Sequence, residues 1–159
     1  MKKIKLTKNQ LAVVDDKDFE YLNQFHWSVD GSGYPQRATK TIKGWRPIRM
    51  HRDLFKLIGK ETADHINLNK LDNRRKNLRR CNQAQNNRNI GITKNNTSGY
   101  KGVWLRNDKK RSKRWVAEIT FNDKKNHLGS FERPEQAALA YNNAAKKYFG
   151  EFAVLNPLE

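Results

Sequence analysis

The stretch DHINLNKLDNRRKNLRRCNQAQN, residues 64–86, combines one Asp-His pair with six asparagines and six arginines or lysines. Asparagine is a weak former of helices and strands, so this density indicates turns in which side-chain amides bond the nearby backbone. A second interpretation is also open. An acid, an imidazole and amides amid positive charge are the ingredients of a metal-assisted site that cuts phosphodiesters. The surrounding sequence has to discriminate between the two.

The composition of the chain indicates a polyanionic partner. Its 159 residues carry a net charge of +17 and the pI is near 10.2, which favours nucleic acid over an anionic membrane. No apolar run approaches the roughly 20 residues of a membrane-spanning helix. The N-terminal residues also lack the apolar core of a signal peptide. We therefore expect no membrane partner.

Cysteine usage and aromatic content narrow the class of protein further. With Cys81 as its one cysteine, the chain has no intrachain disulfide and no cysteine-based zinc site, which fits a reducing cytoplasm. An aromatic content of 10% argues against disorder. The length permits one medium domain or two small ones. We see no signature of a dimer or of an obligate protein partner.

The first 25 residues predict two strands and a helix. Apolar residues within 4–14 alternate at first and then run together, which indicates two short strands. Residues 16–25 begin with acids that suit a helix N-terminus. The expected apolar face of this helix consists of Phe19, Leu22 and Phe25.

Residues 26–50 predict a basic hairpin. The pattern is a strand, an Asp30-Gly31 turn, and one or two further strands. Two interpretations are open: the hairpin lies along a DNA groove, or it is a solvated edge whose charges discourage aggregation. The basic residues along it are Arg37, Lys40, Lys43, Arg46 and Arg49.

Residues 50–98 predict a helix, a strand-turn-strand-helix unit and a linker. The first helix should end at Gly59 and bury Leu54, Leu57 and Ile58. The stretch 64–89 follows as strand, polar loop, short strand and helix start. Residues 89–98 are rich in Asn, Thr, Ser and Gly and suit a linker.

The remaining residues predict a small sheet backed by one helix. Three strand-like runs, 100–106, 114–121 and 125–131, are separated by polar hairpin sequences. In the middle run, Trp115, Ala117, Ile119 and Phe121 share one face, and Val116, Glu118 and Thr120 share the other. The segment 134–149 has Pro134 in its first turn, an apolar stripe and Gly150 at its end, which indicates a helix. The stripe consists of Ala137, Tyr141, Ala144, Ala145 and Tyr148.

The segments MHR (50–52), DHINLNKLDNRRKNLR (64–79) and QNNRN (85–89) resemble the HNH nucleases, particularly homing endonucleases of phage and bacterial introns. The resemblance implies a ββα-metal (His-Me finger) module. It makes His65 the general base, Asp64 a metal ligand, Asn77 the residue that holds the loop, and Asn86 the second metal ligand. An all-oxygen site of this kind suits one Mg²⁺ or Mn²⁺ ion per active site.

Several nearby residues have competing interpretations. Asn73 competes with Asn77 for the role of holding the loop. His51 either orients the site, touches phosphate, or is an ordinary helix histidine, whereas His26 beside Trp27 is expected to pack. The basic side chains of the loop either bind DNA or only face water and keep the loop solvated. The two that we place among the DNA contacts are Arg74 and Arg75.

The segments SGYKGVWLR, WVAEITF, HLGSF, EQAALAYNNAA and FGEFAVLN resemble the plant ethylene-response-factor (apetala-two) type of DNA-binding domain over about sixty residues. The resemblance implies a sheet that enters the major groove of DNA. Arginines dominate the plant pattern and several are replaced here, so the target sequence does not transfer. The run KKRSKR, 109–114, either grips phosphate or forms a solvated hairpin tip. The aligned DNA-contact positions are Lys101, Trp104, Arg106, Glu118, Thr120, Lys125 and His127.

Together these features predict an α+β protein with two domains. Residues 1–92 form the nuclease domain, with N-terminal strands in 1–50 and the catalytic core in 51–92. Residues 93–159 form a three-stranded antiparallel sheet packed on one helix. We expect a site-specific homing-type endonuclease acting on double-stranded DNA in the cytoplasm of a bacterial or phage-infected cell. The alternatives are a catalytically inactive DNA-binding regulator and an RNA nuclease.

Overall fold

The computed structural model describes residues 1–108, 110 and 112–158. It shows a mixed α and β protein with small antiparallel sheets and four α-helices among these residues. The chain divides into two compact units, Met1–Asn86 and Asn87–Glu159, and the division lies slightly before the boundary expected at 92/93. Within the described residues no helix combines the length and apolar character needed to cross a membrane.

The first unit contains three small antiparallel sheets. In chain order the elements are β1 (Lys2–Lys5), β2 (Leu11–Val14), α1 (Asp16–Leu22), β3 (Ser28–Val29), β4 (Pro35–Thr41), β5 (Gly44–Arg49), α2 (Met50–Phe55), β6 (Thr62–His65), β7 (Leu78–Cys81) and α3 (Gln83–Arg88). One sheet pairs β1 with β2, the second has the order β3-β4-β5, and the third pairs β6 with β7. The last helix runs across the division between the units.

The core of the first unit gathers apolar residues from most of these elements. Trp27 is almost fully buried and its indole Nε1 donates to the carbonyl of Leu22 at 2.8 Å. Helix α1 ends at Leu22, so Phe25 packs against the core from the following turn and not from the helix as predicted. The expectation that His26 packs is wrong, because this side chain is exposed. The buried members of the core are Ile4, Leu6, Ala12, Val14, Leu22, Trp27, Met50, Leu54 and Leu78.

Helix α2 ends earlier than its sequence pattern predicts. Lys56 adopts a left-handed conformation (φ 50°), so the helical periodicity stops at Phe55 and not at Gly59. Leu57 is buried as expected, but Ile58 is 80% exposed because the chain has already turned away from the helix axis. The predicted burial of Ile58 is therefore wrong.

The strand-turn-strand-helix prediction for the opening stretch is confirmed. Strands β6 and β7 pair antiparallel with Asp64 opposite Arg79 and His65 opposite Leu78. The polar loop 66–77 connects them, and α3 follows β7 after one residue, Asn82.

The second unit consists of a three-stranded sheet and one long helix, in agreement with the sequence prediction. Its elements are β8 (Val103–Leu105), β9 (Trp115–Phe121), β10 (Lys124–Phe131) and α4 (Pro134–Phe149), with sheet order β10-β9-β8. Asn122 and Asp123 both have positive φ, as a tight two-residue hairpin requires. Gly150 (φ 55°) ends α4.

Helix α4 covers one face of this sheet. Ala117 and Ile119 of β9 pack with small and aromatic residues of the helix, which confirms the predicted inward face. Val116 is also fully buried although it belongs to the opposite face, so that face is not open along its whole length. The buried apolar residues of the helix are Ala137, Ala138, Tyr141, Ala145 and Phe149.

Candidate active site

Asp64 and His65 form the end of strand β6, and both side chains are buried. Short antiparallel pairing with β7 fixes their neighbours, because Arg79 lies directly opposite Asp64. The loop 66–77 then leaves and returns to the same end of the hairpin. The two residues predicted to carry metal binding and proton transfer are thus adjacent at the base of one polar loop.

The Asp64 carboxylate is held by the Arg79 guanidinium. Nε of Arg79 donates to Oδ1 at 2.9 Å and Nη2 donates to Oδ2 at 3.1 Å, which is a bidentate pair. Each carboxylate oxygen can accept more than one interaction, so Asp64 retains the capacity to bind a cation while paired. The ion pair sets the orientation of the carboxylate.

His65 is oriented by Asn73. Its Nε2 lies 3.3 Å from Oδ1 of Asn73, which is itself fully buried. Burial lowers the pKa of His65, and this effect is opposed by the hydrogen bond to Asn73 and by the charges of Asp64 and Asp72. The net result keeps the imidazole neutral near pH 7, the form that can accept a proton.

Asn77 and Asn73 make different contacts in the loop. The Asn77 amide spans it: Nδ2 donates to the carbonyl of Asp72 at 2.8 Å, and Oδ1 accepts from the amide of Asn67 at 3.0 Å. Asn73 contacts His65 and donates from Nδ2 to the carbonyl of Lys70 at 3.1 Å. Asn73 and Asn77 therefore contact different groups: Asn73 contacts the catalytic candidate His65, and Asn77 bonds the backbone of the loop.

An imidazole and a phenol also lie next to His65. The ring centroids of His51 and His65 are 5.1 Å apart, and Tyr34 lies 5.4 Å from His51 and 5.8 Å from His65. Sequence reasoning left the role of His51 open and missed Tyr34, because no motif marks a tyrosine in a hairpin turn as a neighbour of the Asp-His pair.

His51 is buried in its neutral form. Burial lowers its pKa to about 3, and the neighbouring His65, Arg49 and Arg52 act in the same direction, against Asp30. Its Nδ1 is the one buried side-chain nitrogen or oxygen without a hydrogen-bond partner in the described part of the chain. Leaving a buried polar atom without a hydrogen bond costs free energy of folding. Such an atom is therefore more typical of a functional site than of a protein core.

Asn86 lies in α3 and is half-buried. The described residues contain no cluster of three or more His, Cys, Asp or Glu side chains suited to holding a metal ion. A site formed by Asp64 and Asn86 would instead offer one carboxylate and one amide oxygen, hard donors that suit Mg²⁺ or Mn²⁺. In its donor chemistry, the predicted pair fits such an ion.

The two loop arginines predicted to contact DNA are engaged with carboxylates. Arg74 binds Asp72 through Nε at 2.7 Å and Nη2 at 2.5 Å. Arg75 binds Asp18 of α1 through Nη2 at 2.7 Å and Nε at 2.9 Å. Arg75 therefore ties the loop to the first helix of the unit.

In the second unit, most of the predicted DNA-contact residues share the sheet face opposite α4. Thr120 pairs across the strands with Lys125, and Glu118 pairs with His127. Trp104 lies opposite Val116 on the same face and is 40% exposed. The Arg106 guanidinium lies 6.0 Å from the centre of the Trp104 ring.

Lys101 differs from this group. Its ammonium donates to the carbonyls of Arg88, at 3.0 Å, and Ile90. Burial lowers the pKa of Lys101 to about 8. Of the basic run at 109–114, Lys109 and Arg111 lie outside the described residues, so the phosphate-gripping prediction for that run stays a prediction.

One comparison relates the chain to a known protein. The chain is 30% identical over 158 residues to an uncharacterized HNH endonuclease of Acanthamoeba polyphaga mimivirus. The match covers 96% of this chain and 78% of the mimivirus protein, and so runs through both units. No protein-family profile and no solved structure matches the chain.

Proposed function

We propose that this chain, which belongs to the HNH endonuclease family, is a site-specific, homing-type endonuclease. It hydrolyses double-stranded DNA with a divalent metal ion and a histidine base. The observation that carries the mechanism is the placement of a neutral, buried His65, held by Asn73, next to Asp64. A nuclease site of this type needs a base and an oxygen ligand side by side.

The side chains divide the chemistry between them. His65 accepts the proton of the attacking water, for which a lowered pKa keeps it ready near neutral pH. Asn73 orients the ring, and Asn77 holds the loop that carries Asn73. Asp64 and Asn86 would hold one Mg²⁺ or Mn²⁺ ion, which when bound supplies positive charge for the phosphate and the leaving oxygen. The expected products are 5′-phosphate and 3′-hydroxyl ends.

Site selection is assigned to the second unit. A centre that contacts mainly the sugar-phosphate backbone carries little sequence information, so a separate surface has to read bases. The sheet face with Thr120, Lys125, Glu118 and His127 presents hydrogen-bond donors and acceptors away from the helix that supports the sheet. The net charge of +17 supports a polyanionic substrate.

The test is cleavage of supercoiled plasmid DNA by the full chain with Mg²⁺, with Mg²⁺ plus EDTA, and by a His65→Ala variant. We expect metal-dependent nicking or cutting that His65→Ala abolishes while DNA binding is retained. His26→Ala is the matched control, because His26 is exposed and lies outside the site. It should cut like the unmodified protein.

Three outcomes would contradict the proposal. Unchanged cutting by His65→Ala would refute the histidine-base mechanism. Binding without cutting of any duplex would favour a regulator that has lost catalysis. Cutting of RNA in preference to duplex DNA would favour an RNA nuclease.

A further inference from the structure

The outer half of the β4–β5 hairpin, residues 39–46, projects from the core of the first unit. None of the buried core residues lies in this segment, as far as the described residues extend. Trp45 is 69% exposed and Ile42 at the tip is fully exposed. Cross-strand pairing continues to the tip, with Lys40 opposite Trp45 and Thr41 opposite Gly44. The segment is therefore an ordered two-stranded ribbon whose side chains have little to pack against in their own unit.

The charges of this ribbon are uncompensated. Arg37 and Arg49, at the base of the hairpin, pair with Asp53 and Asp30, each at 2.8 Å. By contrast, no carboxylate among the described residues forms an ion pair with the outer cations, and 35–49 contains no acidic residue. These outer cations are Lys40, Lys43 and Arg46.

The shape of the ribbon also matches one partner. A two-stranded β-ribbon fits the major groove of B-form DNA, which is about 12 Å wide and about 8.5 Å deep. Four residues per strand extend about 13 Å at about 3.3 Å per residue, so the ribbon 39–46 is long enough to reach the groove floor. Exposed Trp45 would be a liability in water but can pack against sugars or bases. The density of cations disfavours a second copy of this chain as the occupant.

We propose that the β4–β5 hairpin is a DNA-binding arm of the nuclease unit that enters the major groove. Lys40, Lys43 and Arg46 contact phosphates, and Trp45 packs against the groove wall. The inference rests on the proposed DNA substrate but not on cleavage. It gives the nuclease unit its own grip on the duplex, in addition to the sheet face of the second unit.

The first test measures duplex binding by the full chain in EDTA, so that no cleavage occurs. The probe is a random-sequence duplex of about 30 base pairs, titrated across salt concentrations. Lys40→Ala/Lys43→Ala/Arg46→Ala should lower the slope of log affinity against log salt by about 2 to 3, since each phosphate contact contributes about 0.9. It should also weaken binding at least about tenfold.

The matched control is Lys3→Ala/Lys5→Ala/Lys17→Ala, which removes three exposed lysines from the same unit. Its change in net charge is the same as that of the hairpin variant, but we expect its salt slope to stay near that of the unmodified protein. Equal losses in the two triple variants would show a general charge effect and would overturn the inference. Failure of the unmodified chain to bind the duplex would overturn both this inference and the proposed function.

A second test separates groove insertion from simple attraction. The exposed Trp104 of the sheet face would also be shielded by DNA, so the measurement uses a Trp104→Phe background. In that background bound DNA should shield Trp45 from acrylamide quenching, and this shielding should disappear when Trp45→Phe is added. An RNA duplex of the same sequence should not show it, because the A-form major groove is too narrow to admit the ribbon. Identical shielding with both duplexes, or in Trp45→Phe, would overturn the inference. A chain that binds in this way but never cuts would refute the proposed endonuclease activity alone.

Discussion

The Asp64 carboxylate and the Arg79 guanidinium face each other across the β6–β7 hairpin and share two hydrogen bonds, at 2.9 and 3.1 Å. Both side chains are mostly withdrawn from water. The ion pair thus holds the Asp64 carboxylate in one orientation within the candidate site. Because a buried ion is stable only while it is compensated, the fold and the site depend on the same contact.

Removing Arg79 should destabilise the first unit strongly. Arg79→Ala leaves the buried Asp64 carboxylate without its main compensating charge, and we expect a loss of about 3–5 kcal/mol in the free energy of unfolding. Urea denaturation in EDTA measures it. Arg79→Lys retains the charge but not the two-pronged geometry, so its loss should be smaller.

Arg80→Ala is the control for that measurement. Arg80 is the next residue, but its pair with Glu61 is about half exposed on both sides. An exposed pair is typically worth less than about 1 kcal/mol. Equal losses for Arg79→Ala and Arg80→Ala would contradict the importance given to the Asp64 pair.

Asn77→Ala should free the backbone amide of Asn67, whereas Asn73→Ala should not. Asn77 accepts from the part-buried backbone amide of Asn67 and donates to the buried carbonyl of Asp72. Leaving a buried carbonyl unpaired costs about 1–3 kcal/mol. Hydrogen exchange should therefore show faster exchange of the Asn67 amide only in Asn77→Ala. Both variants should reduce cleavage, by about tenfold to a hundredfold for a misplacement of about 1 Å.

The alternative result is informative for this pair. If Asn73→Ala frees the Asn67 amide and Asn77→Ala does not, the loop-holding role belongs to Asn73. A cleavage rate that neither substitution changes would show that the loop does not position the base.

His51 should make the apo protein sensitive to acid. Its folded-state pKa of about 3 lies below the ordinary value of 6.5, so the unfolded state binds the proton more readily. The contribution of the neutral His51 ring to the free energy of unfolding is fully present above pH 6.5. It is lost as the pH falls from there toward 3. The loss between pH 6.5 and 5 should be about 1–2 kcal/mol, at up to about 1.4 kcal/mol per pH unit.

His51→Phe isolates this effect. The substitution removes the titrating ring and its unpartnered Nδ1 while keeping an aromatic ring next to Tyr34. We expect the loss in the free energy of unfolding between pH 6.5 and pH 5 to be smaller by about 1 kcal/mol or more in this variant. Any constant packing penalty cancels, because only the slope is compared. Parallel curves for the two proteins would refute the prediction.

Gly102→Ala should disrupt the second unit. A Cβ at Gly102 would lie 2.1 Å from Cδ2 of Tyr141 and 2.6 Å from the carbonyl oxygen of Glu118, and the residue has φ +71°. Neither the backbone of β9 nor the buried Tyr141 can move away cheaply, so we expect a loss of several kcal/mol, about the upper range for single substitutions. Thermal unfolding measures it.

Gly99→Ala provides the comparison. Gly99 has a similar φ of +77°, but nothing lies within 4 Å of the added Cβ. Its cost should be only the conformational strain of about 1–2 kcal/mol. Similar losses for both variants would show that the contact with Tyr141 is unimportant.

Substitutions on the open sheet face should change which sites are cut. Lys125→Ala combined with His127→Ala should broaden the set of cleaved sequences in a random DNA library, because the two substitutions remove the base contacts proposed for β10. Lys124→Ala is the control, since the side chain of this neighbouring lysine belongs to the other face of the sheet. An unchanged site preference in Lys125→Ala/His127→Ala would contradict the role given to the sheet.

The sequence determined the local structure well where a short-range pattern decides it. Alternation along 115–121 identified the face of β9 that meets α4, and the strand-turn-strand-helix order of 64–88 followed from its own apolar and polar runs. The motifs around Asp64 and His65 also indicated the HNH family, which the mimivirus relative supports. These features depend on neighbours a few positions away, which any folded arrangement must respect.

Only the tertiary structure decided how distant side chains meet. The sequence left the role of His51 open and gave no sign that Tyr34 lies against His65. It also did not choose Arg79 as the partner of Asp64 over its neighbour Arg80. The left-handed turn at Lys56 that exposes Ile58 is equally invisible. Burial, ion pairing and the pKa of an imidazole are set by what packs around a group, and the packing partners come from elements far apart in the chain.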